Sequence, residues 1–121
     1  MDYKITKIDI ITRKSKFEEL KEEMRRIGVT GMTVTPVMGC GMQKGEIQYY
    51  RGVPVEQRLL PKIKIEIVVC EVPVEKVIST AESVLRTGEI GDGKIFIYDV
   101  ADAVKIRTGE RGADALIDKK K

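Results

Sequence analysis

The segment Gly91–Lys94, with the sequence Gly-Asp-Gly-Lys, is the part of the chain best suited by residue type to bind an anion. Glycines let main-chain N–H groups approach an anion closely, and the lysine adds a positive charge. Two further cations, Lys105 and Arg107, lie just beyond the strand that Lys94 is predicted to begin. Three cations near a glycine-rich main chain would suit a polyphosphate.

The same segment is also typical of an ordinary turn. Asp-Gly is a common turn dipeptide, and here it joins a predicted helix to a predicted strand. The spacing differs from that of a Walker A loop, which has the pattern GxxxxGKS or GxxxxGKT at the start of a helix. Spacing alone therefore leaves a plain turn and a phosphate-binding cradle as open alternatives.

The residue types that the chain lacks exclude several kinds of chemistry. It has no histidine, so Ser-His and Cys-His nucleophile pairs are impossible. Cys40 and Cys70 stand far apart and form no CxxC pair, so neither a zinc site nor a disulfide framework is expected. An ATP-hydrolysing enzyme is disfavoured because no general base accompanies the cradle.

The composition predicts one soluble globular domain. Of the 121 residues, 34% are charged and 42% are apolar, and the net charge of +3 does not by itself call for nucleic acid. No segment has the apolar length of a membrane span, and the first residues, MDYKITK, lack the apolar core of a signal peptide. We expect a cytoplasmic protein that does not insert into a membrane.

The cradle and its cations must be held by a small set of predicted elements. Residues 3–12, 31–38, 62–70 and 94–100 show the composition and alternation of strands. With a helix between the first two and another between the last two, the order is β-α-β-β-α-β. This is the order of a ferredoxin-like α+β fold, in which both helices cover one face of an antiparallel sheet.

Both helices carry clear end signals. Ser15 and Glu18 match a capping box before the first helix, which is predicted to end at Gly28. Pro73 is predicted to open the second helix and Gly88 to stop it. The inward stripe of the first helix is predicted to comprise Phe17, Leu20, Met24 and Ile27, and that of the second Val74, Val77, Ile78, Ala81, Val84 and Leu85.

Residues 39–61 form a long polar connection between the second and third strands. Hairpin loops usually have two to five residues, and structureless connections longer than about 12–15 residues are uncommon in compact domains. The segment combines glycines with two adjacent tyrosines and several charges, unlike a plain spacer. We interpret it as a surface that meets a partner. The open face of the sheet, with Lys62, Lys64 and Glu66 on one strand, is expected to be covered by oligomerisation.

Several segments, taken in order, resemble one known family. They are residues 30–35, 43–45, 50–52, 60–69, 87–100 and 106–110. Together they look like the signature of the PII nitrogen-regulatory signal transduction proteins, and the resemblance runs from about Lys7 to Glu110. It implies a homotrimer whose clefts between subunits bind ATP or ADP. It also implies that the single domain, 1–121, has a T-loop region at 39–61, a B-loop at 87–94, a C-loop at 103–112 and a tail at 113–121.

The resemblance assigns roles to residues of the nucleotide site. Gly91, Asp92, Gly93 and Lys94 match the family's phosphate-binding B-loop. Arg107 matches a phosphate-contacting arginine of the C-loop, and Lys105 stands where the family commonly has another arginine. Thr33 and Glu66 match positions near the adenine.

The resemblance also implies a site for 2-oxoglutarate. Gln43 matches the glutamine that joins ATP phosphates and the oxoacid around Mg²⁺, and Lys62 matches the lysine that pairs with the oxoacid. Gly91 is assigned to the same site. Such a set is coherent, because phosphates, a chelating oxoacid and one amide oxygen can complete the octahedral shell of Mg²⁺. Without the resemblance, Gln43 would be taken for a loop residue and Lys62 for a solvated lysine.

Three departures from the family pattern affect what can be expected. Met42 and Lys105 stand where the family commonly has arginines, which can contact phosphate with two hydrogen bonds. Met42 offers only an apolar side chain and Lys105 only a point charge, which would alter the affinity for ATP or ADP. Val55 replaces the tyrosine that is usually uridylylated, and Val53 has no hydroxyl to phosphorylate. Regulation by ligands alone is the simplest expectation.

The resulting hypothesis is a non-enzymatic sensor of nitrogen, carbon and energy status. Its loop, with Tyr50, Arg51 and Gly52 near the tip, would engage an ammonium transporter, which would recruit it to the membrane, or a nitrogen-assimilation enzyme. One alternative is a PII-like sensor of another small metabolite. A more distant one is an RRM-like nucleic-acid-binding module, which should show stacking aromatics and a strong basic patch, whereas only 5% of residues are aromatic.

Overall fold

A computed structural model describes residues 4–41, 48–50, 53–55 and 58–117. Short 3₁₀ turns at Lys14–Lys16 and Gly112–Leu116 accompany the main elements. None of the described helices is long and apolar enough to cross a membrane. The main elements are β1 (Ile5–Thr12), α1 (Phe17–Arg26), β2 (Thr33–Gly41), β3 (Gln48–Tyr50), β4 (Val53–Val55), β5 (Arg58–Val69), α2 (Val74–Leu85) and β6 (Lys94–Val100).

Four strands form one antiparallel sheet in the order β2-β5-β1-β6. The central strand β1 pairs with β5 on one side and with β6 on the other, so Ile8 stands opposite both Ile67 and Ile97. This topology confirms the predicted ferredoxin-like fold. It also places the start of β6 beside the end of β1, since Ile11 pairs with Lys94.

Alternating isoleucines build the core on one face of this sheet. Ile8 and Ile10 of β1 and Ile65 of β5 are almost fully buried, and both helices pack over them. Burying one such side chain stabilises the fold by about 1.5–3 kcal/mol, so the alternation decides which face the helices cover. The helical residues that complete the buried core are Leu20, Met24, Val77, Ala81 and Leu85.

The helix ends differ in part from the predicted signals. The capping box is wrong: α1 begins at Phe17, and Ser15 lies in the preceding 3₁₀ turn, where no side chain caps the helix. Gly28 has φ of 100° and follows the end of α1 as predicted. Pro73 directly precedes α2, but the helix ends at Leu85, because the next residue is already extended, before Gly88 is reached.

The connection between β2 and β5 is shorter than predicted. Their ladder continues to the pair Gly41–Arg58, so both strands extend into the segment assigned to the loop. Pro36 is tolerated because β2 is an edge strand. Pro61 is tolerated because the pairing of β1 with β5 ends at Ile63, which leaves β5 with one neighbour there. Inside the connection, β3 pairs with β4 in a small hairpin that was not predicted.

The face of the sheet away from the helices carries a cluster of charges. Asp9 has 3% of its surface exposed and lies 3.5 Å from the ammonium of Lys7 and 3.7 Å from that of Lys64. Glu66 is paired with both lysines. A buried carboxylate needs such partners, because an unpaired buried charge is strongly destabilising. Beside this cluster lie exposed apolar side chains, including Val68, Phe96 and Tyr98.

Candidate functional site

The segment 90–93, which we call the glycine turn, leads into β6 beside the end of β1. Gly91 and Gly93 have φ of 103° and 109°, in the region that favours glycine. A Cβ on Gly93 would lie 2.0 Å from the carbonyl oxygen of Ile11, so the close approach of two main chains also requires glycine there. The predicted turn is therefore present, with its glycines in demanding conformations.

Side chains from outside the turn bind three of its carbonyl groups. Arg13 donates to the carbonyl oxygen of Ile90 at 2.8 Å, and Lys62 to that of Gly91 at 3.0 Å. Thr12 donates to that of Asp92 at 2.8 Å. The turn is therefore fixed to the end of β1 and to β5 by hydrogen bonds through its main chain.

The carboxylate of Asp92 joins the glycine turn to the residues just before it. It accepts hydrogen bonds from the main-chain N–H groups of Thr87 and Gly88 at 2.8 and 3.0 Å, and from the hydroxyl of Thr87. Arg13 donates to it at 2.9 Å. These donors, with Thr87 the strongest, hold the pKa of Asp92 well below its usual range. The carboxylate is therefore ionised and largely engaged within the turn.

The structure brings together two of the residues assigned to 2-oxoglutarate. The ammonium of Lys62 reaches the carbonyl of Gly91, and the stem of Lys62 passes close to Gly39, where a Cβ would lie 3.4 Å from its Cγ. The third residue, Gln43, lies outside the described residues. Arg51 and Gly52 do too, and only the main chain of Tyr50, at the end of β3, is described.

The two residues assigned to the adenine share one cavity. Thr33 of β2 and Glu66 of β5 are cross-strand partners, and both line a cavity of about 690 Å³. That volume lies within the range of small-molecule sites. The hydrogen bond from Lys64 lowers the pKa of Glu66, so the carboxylate on this side of the cavity is ionised and paired with lysines. Val68 adds an apolar wall, and Ile117 closes the cavity from the C-terminal segment.

Lys105 and Arg107 follow β6 in the chain, after the end of the strand that is opposite to the glycine turn. The strand has seven residues, so its two ends are about 20 Å apart at ~3.3 Å per residue. Arg107 is exposed, whereas the side chain of Lys105 is 12% exposed and donates a hydrogen bond to the carbonyl of Ile117. A single chain therefore separates the two groups of predicted phosphate ligands.

Sequence reasoning missed Arg13, Thr12 and the C-terminal residues that line the cavity. Arg13 is 79 residues from Asp92 along the chain, so no local pattern connects them. The available signal was topological: if β1 pairs with β6, the residues after β1 must lie beside the turn before β6. Ala115, Leu116 and Ile117 belong to the segment assigned to the tail, yet they line the same cavity as Thr33.

Comparison with known proteins gives one consistent result. Residues 5–110 match the family described as nitrogen regulatory protein P-II. The chain is 49% identical over 116 residues to the nitrogen regulatory PII-like protein of Bacillus subtilis (strain 168), covering 96% of this chain and 100% of the relative.

Two solved structures show the same architecture. The B. subtilis GlnK–ATP complex superposes with a TM-score of 0.82 at 45% identity, covering 95% of this chain and 98% of that one. Arabidopsis thaliana PII bound to citrate superposes with a TM-score of 0.75 at 38% identity, covering 94% of each chain.

Proposed function

This chain belongs to the nitrogen regulatory protein P-II family, and we propose that it is a sensor in which ATP or ADP binds between the subunits of a homotrimer. Proteins of this family are regulatory proteins, not enzymes. The chain fits that class, because its glycine turn and its cavity supply binding groups without a nucleophile pair. It would act in the cytoplasm.

The observation that carries this proposal is the separation of the two cationic groups by β6. Gly91–Lys94 lie at the start of the strand, and Lys105 and Arg107 come after its other end; the strand between them is about 20 Å long at ~3.3 Å per residue. One nucleotide cannot contact both groups on one chain through its phosphates. In an oligomer, the glycine turn of one subunit can face the C-terminal cations of the next, and the bound phosphates then draw on both.

The cavity beside Thr33 and Glu66 is the proposed site of the adenine ring. It combines an apolar wall from Val68 with the exposed residues 30 and 31, which suits a flat base with polar edges. The ATP complex of the similar B. subtilis protein supports a nucleotide as the ligand. Lys105 is engaged by Ile117 here, so it would have to exchange that carbonyl for a phosphate.

We place 2-oxoglutarate against Lys62 and Gly91. The ammonium of Lys62 is already positioned at the glycine turn, where an oxoacid carboxylate could replace the carbonyl of Gly91 as its partner. The citrate bound by the Arabidopsis PII protein supports a carboxylate-bearing ligand in this family. A sensor of a different small metabolite remains the alternative for the same fold.

A magnesium ion would have to be shared between protein and ligands. The described residues contain no group of three or more Asp, Glu or Cys side chains that could hold a metal. The oxygen shell that Mg²⁺ prefers could take the amide oxygen of Gln43 from the chain and its other oxygens from phosphates and the oxoacid. When bound, such an ion would neutralise the charge of the anions it joins.

The proposed output is a partner protein bound by the loop that contains Tyr50, Arg51 and Gly52. An ammonium transporter or a nitrogen-assimilation enzyme would be that partner, and a ligand can switch the loop only through its different affinity for two loop states. We expect the ADP form to bind a transporter, and Mg-ATP with 2-oxoglutarate to release it.

The substitution Arg51→Ala should abolish the pull-down of a transporter from membranes while leaving ATP affinity intact. Retention of the transporter by this variant would redirect the search to soluble enzymes.

The shared nucleotide site is tested by mixing two defective chains. Lys94→Ala and Arg107→Ala should each weaken ATP binding by about 1.5–3 kcal/mol, measured by calorimetry on the folded oligomer. Co-refolding the two variants should restore a population of high-affinity sites, because some clefts then combine an intact Lys94 with an intact Arg107. Lys76→Ala, an exposed lysine of α2, serves as the control for lost charge. Failure of the mixture to recover any site would contradict a cleft shared between subunits.

A further inference from the structure

Arg13 makes more contacts to the glycine turn than any function assigned above requires. One guanidinium nitrogen donates to the carbonyl oxygen of Ile90 at 2.8 Å, and another donates to the carboxylate of Asp92 at 2.9 Å. The guanidinium also lies against Gly91, since a Cβ there would be 2.7 Å from its Nη2. Arg13 therefore contacts the turn before, at and after its first glycine.

Asp92 completes the same arrangement from inside the turn. Its two carboxylate oxygens accept hydrogen bonds from Thr87, Gly88 and Arg13. A carboxylate directed at a phosphate would repel it, whereas a carboxylate that binds the residues next to its own turn fixes the main chain. The observed contacts favour the second role for Asp92.

We propose that Arg13 is a positioning residue for the phosphate-binding turn, acting through Asp92 and the carbonyl of Ile90 and not by touching the nucleotide. The inference rests on the proposed function, in which Gly91–Lys94 bind phosphate. Glycines lose more conformational freedom on ordering than any other residue, so a turn with two of them binds best when it is ordered beforehand. Arg13 supplies that order from the end of β1, a strand anchored in the core.

A double-mutant cycle distinguishes positioning from direct contact. Arg13→Gln and Asp92→Asn should each weaken ATP binding on the order of tenfold, as expected for the loss of a hydrogen bond to a charged group. If Arg13 acts through Asp92, the double variant should bind ATP with about the same affinity as whichever single variant binds ATP less tightly. Losses that multiply in the double variant would show that Arg13 acts independently of Asp92, which overturns the proposal. Arg26→Gln, an exposed arginine of α1, is the matched control and should not change ATP affinity.

Hydrogen exchange supplies a readout that does not depend on the nucleotide. In the ligand-free Arg13→Gln variant, the amides of Thr87 and Gly88, which donate to Asp92, should exchange faster, while those of Ile65 and Ile67 in the core strand should not change. Arg13→Lys should restore part of the protection, because a lysine can reach only one of the two acceptors well. Unchanged exchange at Thr87 and Gly88 would overturn the proposal even if ATP affinity fell.

These measurements also separate this inference from the proposed function. If the unmodified chain bound no ATP, the proposed function would fail, whereas the exchange experiment would still report whether Arg13 orders the turn. If the unmodified chain bound ATP and the Arg13→Gln variant bound it equally well, the proposed function would stand and the role of Arg13 would be refuted.

Discussion

Gly93 is the residue of the turn with the least room for a side chain. Its φ of 109° strains any other residue, and a Cβ would lie 2.0 Å from the carbonyl oxygen of Ile11, whose strand β1 is paired with β6 at this point. The neighbouring main chain cannot give way without disturbing the pairing of β1 with β6. A single methyl group at this position should therefore displace the whole turn.

Gly93→Ala is predicted to lower the free energy of unfolding by at least about 1–3 kcal/mol, the usual cost of one strained conformation, and to abolish measurable ATP binding. Gly31→Ala is the control for stability alone, since no heavy atom lies within 4 Å of its added Cβ and its φ is not in the glycine region, whereas the residue lines the cavity proposed for the adenine. Denaturant unfolding compares Gly93→Ala with Gly31→Ala, and calorimetry with ATP compares it with Lys76→Ala on the exposed face of α2. An alanine at position 93 that left both quantities unchanged would show that the turn moves freely.

Asp92 gives a pH-dependent prediction. Because hydrogen bonds from Thr87, Gly88 and Arg13 lower its pKa, ionised Asp92 stabilises the folded turn. That contribution is fully present above the ordinary aspartate pKa of about 3.9 and is lost as pH falls through the lowered value in the folded state. The carboxyl ¹³C shift of Asp92 should therefore stay that of an ionised group below pH 3.9, and Thr87→Val should bring its midpoint back towards normal. A midpoint like that of a free peptide would contradict the contacts seen here.

The sequence predicted those secondary-structure elements whose apolar residues recur with a clear local period. The stripe with Leu20 and Met24 predicted α1, and the alternating isoleucines predicted β1 and β5, because each pattern buries one face. The prediction started the third strand at residue 62, directly after Pro61, whereas β5 begins at Arg58. A proline is excluded from a strand only where a neighbouring strand needs its N–H. Whether that neighbour exists depends on the register of β1, which no local pattern reveals.

The sequence predicted which types of residue form the site, but it predicted less well which of them lie close together. Gly91–Lys94 stood out because glycine and lysine suit an anion wherever they occur. Arg13 did not, because its partner Asp92 is 79 residues away and is brought near only by the pairing of Ile11 with Lys94. The C-terminal residues likewise reach the cavity of Thr33 only through the tertiary fold, which no local pattern reveals.

The packing of α1 against the sheet gives a prediction for this element. Leu20 is fully buried in the cluster that also contains Met24 and Ile65, so Leu20→Ala should lower the free energy of unfolding by about 2–5 kcal/mol. Glu19→Ala, at an exposed position of the same helix, should change it by no more than about 0.5 kcal/mol. Denaturant unfolding at one fixed protein concentration allows the comparison, and equal effects of both changes would mean that α1 does not cover the core.

For the whole molecule, the proposed ligands should bind in a fixed order. 2-Oxoglutarate should bind only with ATP and Mg²⁺ and be lost with ADP, because the γ-phosphate would help to hold the metal that the oxoacid contacts. Calorimetric titration of 2-oxoglutarate under each condition tests this, with the Gln43→Ala and Lys62→Ala double variant as the comparison. Equal binding with ADP, or in the double variant, would place the oxoacid elsewhere.

The length of β6 has a genetic consequence if the clefts are shared as proposed. Each chain lends its glycine turn to one cleft and the cations that follow β6 to another, and the strand between them is about 20 Å long at ~3.3 Å per residue. A chain with substitutions in both its glycine turn and its C-terminal cations would therefore inactivate both clefts that it helps to form. In each of these clefts, the residues that an intact neighbour contributes would lack their counterparts. A defective allele expressed beside a normal one would inactivate clefts in mixed oligomers, and its phenotype would be dominant.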